Sequence, residues 1–281
     1  MIIIEANAPV LRMLDANYED GVFKINKIYE NQSDLDFLSD DLSYIAKLIE
    51  NEIANLGNDS ELATEEVAIL VSNKYINKYV FVTEPDGFVD AKKLLANELS
   101  VGLDVHFQPS AKAYYLIESI EKSEKDVKHI VLEISKIWIQ RLQSLLSEMT
   151  FNQVSVQPSW IGLYNFITEF PDLLKNVLIF EKIDQDGFEV TAIRDSNVFS
   201  VFRTKITDET SFSDYFANFI QFHYSSVTPS YLNLSQHDDT VFARLNLPEL
   251  EIEEFSSKIV SASKINLHQV KSFFSLLGIL K

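Results

Sequence analysis

The sequence predicts an α/β protein built from two related halves. Three observations carry that reading. The chain opens with a unit of three strands, a helix and a further strand. The same order of elements returns about 175 positions later, from Ile2 to Val177. Between the two units lies extra α/β material, and no linker is long enough to part independent domains.

In the first unit Ile2 to Ile4 reads as a short buried strand. Val10 to Ala16 and Val22 to Tyr29 read as two more, joined by a turn at Glu19-Asp20-Gly21. Leu35, Leu38, Leu42, Ile45, Ile49, Ile53 and Leu56 follow at spacings of three and four, the apolar face of an amphipathic helix. Gly57-Asn58-Asp59 ends that helix, and Val67 to Val71 is a buried strand. In the second unit Val177 to Ile183, Phe188 to Arg194 and Val198 to Ile206 read as strands, turned at Asp184-Gln185-Asp186-Gly187 and Asp195-Ser196-Asn197. A helix with Phe212, Tyr215, Phe216, Phe219, Ile220 and His223 on one face comes next, then a strand from Tyr231 to Leu234. Identity between the copies is slight, so the duplication is a matter of pattern.

The intervening stretch reads as strands at Tyr79 to Val82, Leu103 to Phe107, Ala113 to Ser119 and His129 to Ile134. A helix is predicted from Phe88 to Leu99, and Lys122 to Asp126 forms a charged turn. Trp138, Leu142, Leu145, Leu146 and Met149 mark an amphipathic helix, Val154 to Val156 a strand, and Trp160 to Phe170 a helix stopped near Pro171. Leu267, Val270, Phe273, Phe274, Leu277 and Leu280 mark a terminal helix.

Ile2-to-Tyr29, the run from His129 to Val156, the strands from Val177 to Ile206 and the tail Phe273-Phe274-Ser275-Leu276-Leu277-Gly278-Ile279-Leu280-Lys281 together resemble the actin-like ATPase superfamily. The resemblance is to its branch of pilus-assembly (PilM), type II secretion (GspL) and cell-division (FtsA) proteins. It implies an actin-like, duplicated RNase H-like fold: a first lobe over 1–171 with a small inserted subdomain at about 75–150, and a second lobe over 172–281.

The motifs of the nucleotide-binding members are missing. Where they carry Asp-x-Gly-Ser/Thr after the first strand, this chain reads Ile4-Glu5-Ala6-Asn7-Ala8-Pro9. Where the second phosphate loop carries Asp-x-Gly, it reads Phe180-Glu181-Lys182-Ile183-Asp184. Where the adenosine loop carries Gly-Gly, it reads Leu234-Ser235-Gln236-His237-Asp238-Asp239. The resemblance with these departures implies a pseudo-ATPase with no cofactor, no metal and no catalytic or cofactor-binding residues.

Composition agrees. The 281 residues carry 42 acidic against 24 basic side chains, a net charge of -18, which disfavours nucleic acid and anionic membranes. There is no cysteine, which excludes disulfides and thiolate chemistry. Only seven glycines are present, at 21, 57, 87, 102, 162, 187 and 278, and none are clustered as a phosphate cradle requires. No run of ~18 apolar residues and no leader-like start are seen, so a cytoplasmic protein is expected.

Single residues add little chemistry. His237-Asp238-Asp239 has metal-binding residue types but reads better as a polar loop and helix cap. His106, His129, His223 and His268 form no i, i+4 pair. Ser159, after Pro158, lacks the flanking glycines of a nucleophile elbow and reads as an N-cap. Glu5, Asp15 and Asp20 are imaginable as a carboxylate set, with solvated structural roles favoured. Phe212, Phe216, Phe219 and Phe222 crowd one helix, with Phe222 off the main stripe. The expected function is that of a scaffold on the cytoplasmic face of a pilus-assembly or type II secretion-like platform, binding the tails of inner-membrane proteins. The alternative readings are an actin-like ATPase or phosphotransferase with an atypical site, and an actin-like protein of unrelated function.

Overall fold

The computed structural model describes residues 1–7, 10–32, 40–56, 66–83, 112–123, 126–150, 153–183, 187–205, 209–235, 240–261 and 265–281. The chain divides into two compact units, Met1–Tyr75 with Arg141–Lys281, and Ile76–Gln140.

In the larger unit, β1 (Ile2–Asn7), β2 (Val10–Glu19) and β3 (Val22–Gln32) form an antiparallel meander, followed by helix α1 (Leu42–Leu56) and strand β4 (Glu66–Val71) parallel to β1. The strands run further than the hydrophobic pattern predicts. Cross-strand pairing carries β3 through polar Glu30, Asn31 and Gln32, which have no apolar signal of their own.

The smaller unit holds a three-stranded antiparallel sheet of β5 (Ile76–Thr83), β6 (Lys112–Ser123) and β7 (Asp126–Ser135) in the order β5-β7-β6. Strand β6 continues through Lys122 and Ser123, which were expected in the turn. The helix predicted at Phe88 to Leu99 and the strand at Leu103 to Phe107 lie outside the described residues. Helix α2 (Lys136–Glu148) leads back into β8 (Gln153–Pro158) and α3 (Ser159–Glu169) of the larger unit.

Strands β9 (Val177–Lys182), β10 (Gly187–Arg194) and β11 (Asn197–Lys205), helix α4 (Glu209–His223) and strand β12 (Ser230–Asn233) repeat the opening arrangement. One sheet runs β13-β3-β2-β1-β4-β8 and the other β11-β10-β9-β12, so β3-β2-β1-β4 and β11-β10-β9-β12 share one connectivity. The match extends below topology. A β-bulge falls between Asp15 and Ala16 in the first meander and between Ala192 and Ile193 in the second, each three residues beyond Arg12 or Glu189. The second turn of each meander holds two residues with left-handed backbone: Asp20 and Gly21 (φ 53° and 77°), and Asp195 and Ser196 (φ 51° and 62°). Such turns match the right-handed twist of the strands they join.

The second sheet's core is rich in phenylalanine: Phe180, Phe188, Phe212, Phe216 and Phe242 pack with Leu178 and Val190, and the Phe180 and Phe242 rings lie 4.8 Å apart. After α5 (Thr240–Ala243) the chain returns to the first sheet. Strand β13 (Ile259–Ser261) pairs in parallel with β3. The expected terminal helix is broken into α6 (Leu267–Val270), a 3₁₀ turn, α7 (Phe274–Leu277) and a second 3₁₀ turn. Phe274 stacks on Phe166 of α3 at 4.1 Å.

Candidate functional site

In both meanders a row of charged side chains crosses the three strands, two pairs from the hairpin tip. In the first sheet Glu5 of β1 pairs with Arg12 of β2, and Arg12 with Glu30 of β3. Arg12 Nη1 donates to Glu5 Oε2 at 3.3 Å and its Nε to Glu30 Oε2 at 2.8 Å. Ser272 of the terminal segment also donates to Glu30, at 3.4 Å. Glu5 is 0% exposed, and its Oε1 finds no hydrogen-bond partner among the described residues. Burial works against the Arg12 charge, but Glu5, Glu30 and Glu181 more than offset it and hold its pKa above the ordinary value.

The second sheet carries the equivalent row. Glu181 of β9 pairs with Glu189 of β10, and Glu189 with Arg203 of β11. These residues alternate with the phenylalanine core positions and so occupy the opposite face of the sheet. Glu181 and Glu189 are buried, and Arg203 Nε donates to Glu189 Oε2 at 3.3 Å. This row also reaches the first sheet. Asn73, in the 3₁₀ turn Asn73–Tyr75 that follows β4, donates from Nδ2 to Glu181 Oε2 at 2.6 Å. Arg203 Nη2 donates to the carbonyls of Asn73 at 2.9 Å and Lys74 at 3.2 Å.

The chemistry of this arrangement is acidic and self-paired. Four carboxylates, Glu5, Glu30, Glu181 and Glu189, face two guanidiniums, Arg12 and Arg203. Both guanidiniums already donate to protein acceptors. A phosphate chain placed here would meet carboxylates, where binding calls for free amides and a cation. Among the described residues no group of three or more His, Cys, Asp or Glu side chains could hold a metal ion.

Several expected residues stand elsewhere. Glu5 is fully buried in its ion pair and not solvated, because the strand places it on the inward face with Ile3. Asp15 lies three residues along β2 from Arg12 and accepts from Asn26 at 3.3 Å, and Asp20 sits in the turn, so the three acids do not converge. Ser159 is not an N-cap: Pro158 holds that position without a side-chain cap, and the Ser159 hydroxyl is buried with no hydrogen-bond partner among the described residues. His129 and His223 are held below the ordinary histidine pKa, chiefly by burial, and His268 is exposed. His106 and His237-Asp238-Asp239 lie outside the described residues. Phe222 is 81% exposed and Tyr215 47%, although the helical stripe predicts Tyr215 to be inward.

Close to this region α3 crosses the terminal segment at two glycines. A methyl group at Gly162 would overlap the Ser275 carbonyl, and one at Gly278 would overlap the Gly162 carbonyl. Asn165 Nδ2 donates to the Gly278 carbonyl at 3.1 Å across the same crossing.

Sequence reasoning missed Arg12, Glu30, Asn73, Glu189 and Arg203. For Arg12 and Glu189 a signal was present, a charge set within a largely apolar strand, whereas Asn73 lies in a turn and gave none.

No family model matches the sequence, and no curated protein matches it. Solved structures do. A chain of a PilM-PilN type IV pilus biogenesis complex superposes with a TM-score of 0.67 at 10% identity, over 99% of this chain and 97% of the other. The cytoplasmic domain of EpsL, an inner membrane component of the type II secretion system of Vibrio cholerae, gives 0.49 at 10% identity, covering 98% and 94%. A Bacteroides thetaiotaomicron protein of actin-like ATPase fold gives 0.48 at 10% identity, covering 98% and 94%. The first of these likenesses shows the fold, which is actin-like, and the duplicated sheet order is its internal signature.

Proposed function

We propose that this chain is a non-catalytic actin-like scaffold, a cytoplasmic component of a pilus-assembly or type II secretion-like platform that binds the tails of inner-membrane proteins. The observation that carries the non-catalytic part is the self-paired acidic cluster at the two hairpins, four carboxylates around two occupied guanidiniums. A nucleotide would add several negative charges to it. The partner-binding part is supported by the fold shared with a protein of the PilM-PilN complex, whose name describes an assembly of two proteins in pilus biogenesis. No helix among the described residues is long and apolar enough to cross a membrane.

The test has two arms. Calorimetric titration with MgATP at low salt is expected to show no heat of binding, and a micromolar dissociation constant would overturn the non-catalytic reading. Fluorescence anisotropy with labelled cytoplasmic tails of inner-membrane pilus and secretion proteins is expected to give saturable binding to one of them. Failure of every tail would overturn the scaffold assignment while leaving the first arm standing.

A further inference from the structure

We propose that Asn73, Glu181 and Arg203 form a built-in clasp that fixes the two sheets of the larger unit against each other, in the place where nucleotide-binding members of the fold hold their ligand. The idea rests on the non-catalytic reading above.

The two charged rows are equivalent by register but differ in what they bind. The hydrogen bonds of the first stay with its own sheet and the terminal segment: Arg12 donates to Glu5 and Glu30, and Ser272 donates to Glu30. The second reaches outward from both ends. Glu181 accepts from the side chain of Asn73, and Arg203 donates to the main-chain carbonyls of Asn73 and Lys74. Strands β9 and β11 are separated by β10, so the grip points on the strands lie about 10 Å apart at ordinary strand spacing. Holding one turn from two such points fixes its orientation as well as its distance.

The held turn is stiff. Tyr75 N–H donates to the Ser72 carbonyl at 3.0 Å and Lys74 N–H to the Ser72 hydroxyl at 3.3 Å, which ties the turn to the end of β4. Asn73 is 0% exposed and Glu181 8%, so the bond between them forms where water competes least and the acceptor carries charge. The contacts join positions 108 to 130 residues apart in sequence. A ligand is needed to close two lobes only when the closed form lacks bonds of its own. Here those bonds are supplied by the chain, and the relation of the two sheets is set without a ligand.

Hydrogen–deuterium exchange at Lys74 and Tyr75 tests the clasp in the full chain, with and without MgATP. The wild type is expected to exchange slowly in both conditions. Arg203→Met and Asn73→Ala are expected to exchange at least ten-fold faster there while keeping the wild-type far-ultraviolet circular dichroism. Arg203→Lys, which keeps charge but not the forked geometry, should fall between. Lys205→Met, an exposed neighbour on β11, should match the wild type. Wild-type rates in both Arg203→Met and Asn73→Ala would overturn the clasp and leave the non-catalytic reading intact. Fast exchange in the wild type that MgATP slows would overturn both. Slow wild-type exchange, fast variants and further slowing by MgATP would keep the clasp and overturn the non-catalytic reading.

Discussion

Arg12 is the residue on which the first row depends. Its guanidinium is the only described hydrogen-bond partner of the Glu5 side chain, so Arg12→Leu leaves a carboxylate buried and uncompensated. Breaking a buried pair from one side costs about 3–5 kcal/mol, whereas replacing both partners is close to neutral. Urea unfolding should show that loss for Arg12→Leu and its substantial recovery in the Glu5→Gln, Arg12→Leu double variant. Glu169, the last residue of α3, makes a pH-dependent contribution. Burial disfavours its charge, but hydrogen bonds from Lys258, Lys281 and Tyr18 outweigh this and lower its pKa from 4.5 to about 2. Because the folded-state pKa is depressed, the stabilisation is fully present above about pH 4.5 and is lost as pH falls toward about 2. The gap in unfolding midpoint between the wild type and Lys258→Ala should therefore narrow across that window. At this scale the sequence was least legible. Glu5 was visible as a departure from a phosphate loop and as one of three scattered acids, Glu181 only as such a departure, and nothing local said that Arg12 or Arg203 would face them. The pairing is made by strand register, which relates residues up to 18 positions apart in the first row and 14 in the second.

Among the elements, α3 and the broken terminal segment meet backbone to backbone. Gly162 and Gly278 let two backbones meet with no side chain between them, and the carbonyl of each chain lies where the other's Cβ would go. Because the obstacle is backbone, the segments must separate to admit a methyl group. Gly162→Ala and Gly278→Ala are each expected to destabilise by roughly 1–3 kcal/mol or more, as overpacking does, and to lower the thermal midpoint accordingly. The same two substitutions on an exposed helix would raise helix propensity and stabilise, so the sign of the change is the test. Helix α4 gives a second case. Of the aromatic stripe, Phe212 and Phe216 are buried, while Tyr215 belongs to the flank and is half exposed. A stripe read at 100° per residue is too wide at its edges to tell a core position from a flanking one. Helix α4 is followed by Tyr224, whose hydroxyl donates to the Ile193 carbonyl at 2.7 Å. Tyr224→Phe should cost about 1 kcal/mol.

For the whole molecule, duplication was the most legible feature. Strand and helix order repeat visibly, and the shared sheet connectivity and the bulges at matching positions agree with it. The terminal segment was less legible, because its alternation of α and 3₁₀ turns comes from packing on α3 and not from its own periodicity. The proposed lack of nucleotide binding also belongs to this scale. Losing three charge-assisted contacts at ~1.5–3 kcal/mol each removes ~4.5–9 kcal/mol, enough to turn micromolar affinity into none detectable. Strand β13 has a consequence of another kind. It joins the opening meander through Ile259, Val260 and Ser261 beside Phe23, Lys24 and Ile25, so the first sheet contains strands more than 230 residues apart. The second sheet is contiguous, drawn wholly from Val177 to Asn233. Local contacts form early and distant ones late. On a ribosome, the half encoded later would thus mature first, and the half encoded first would wait for residues near 260 to emerge.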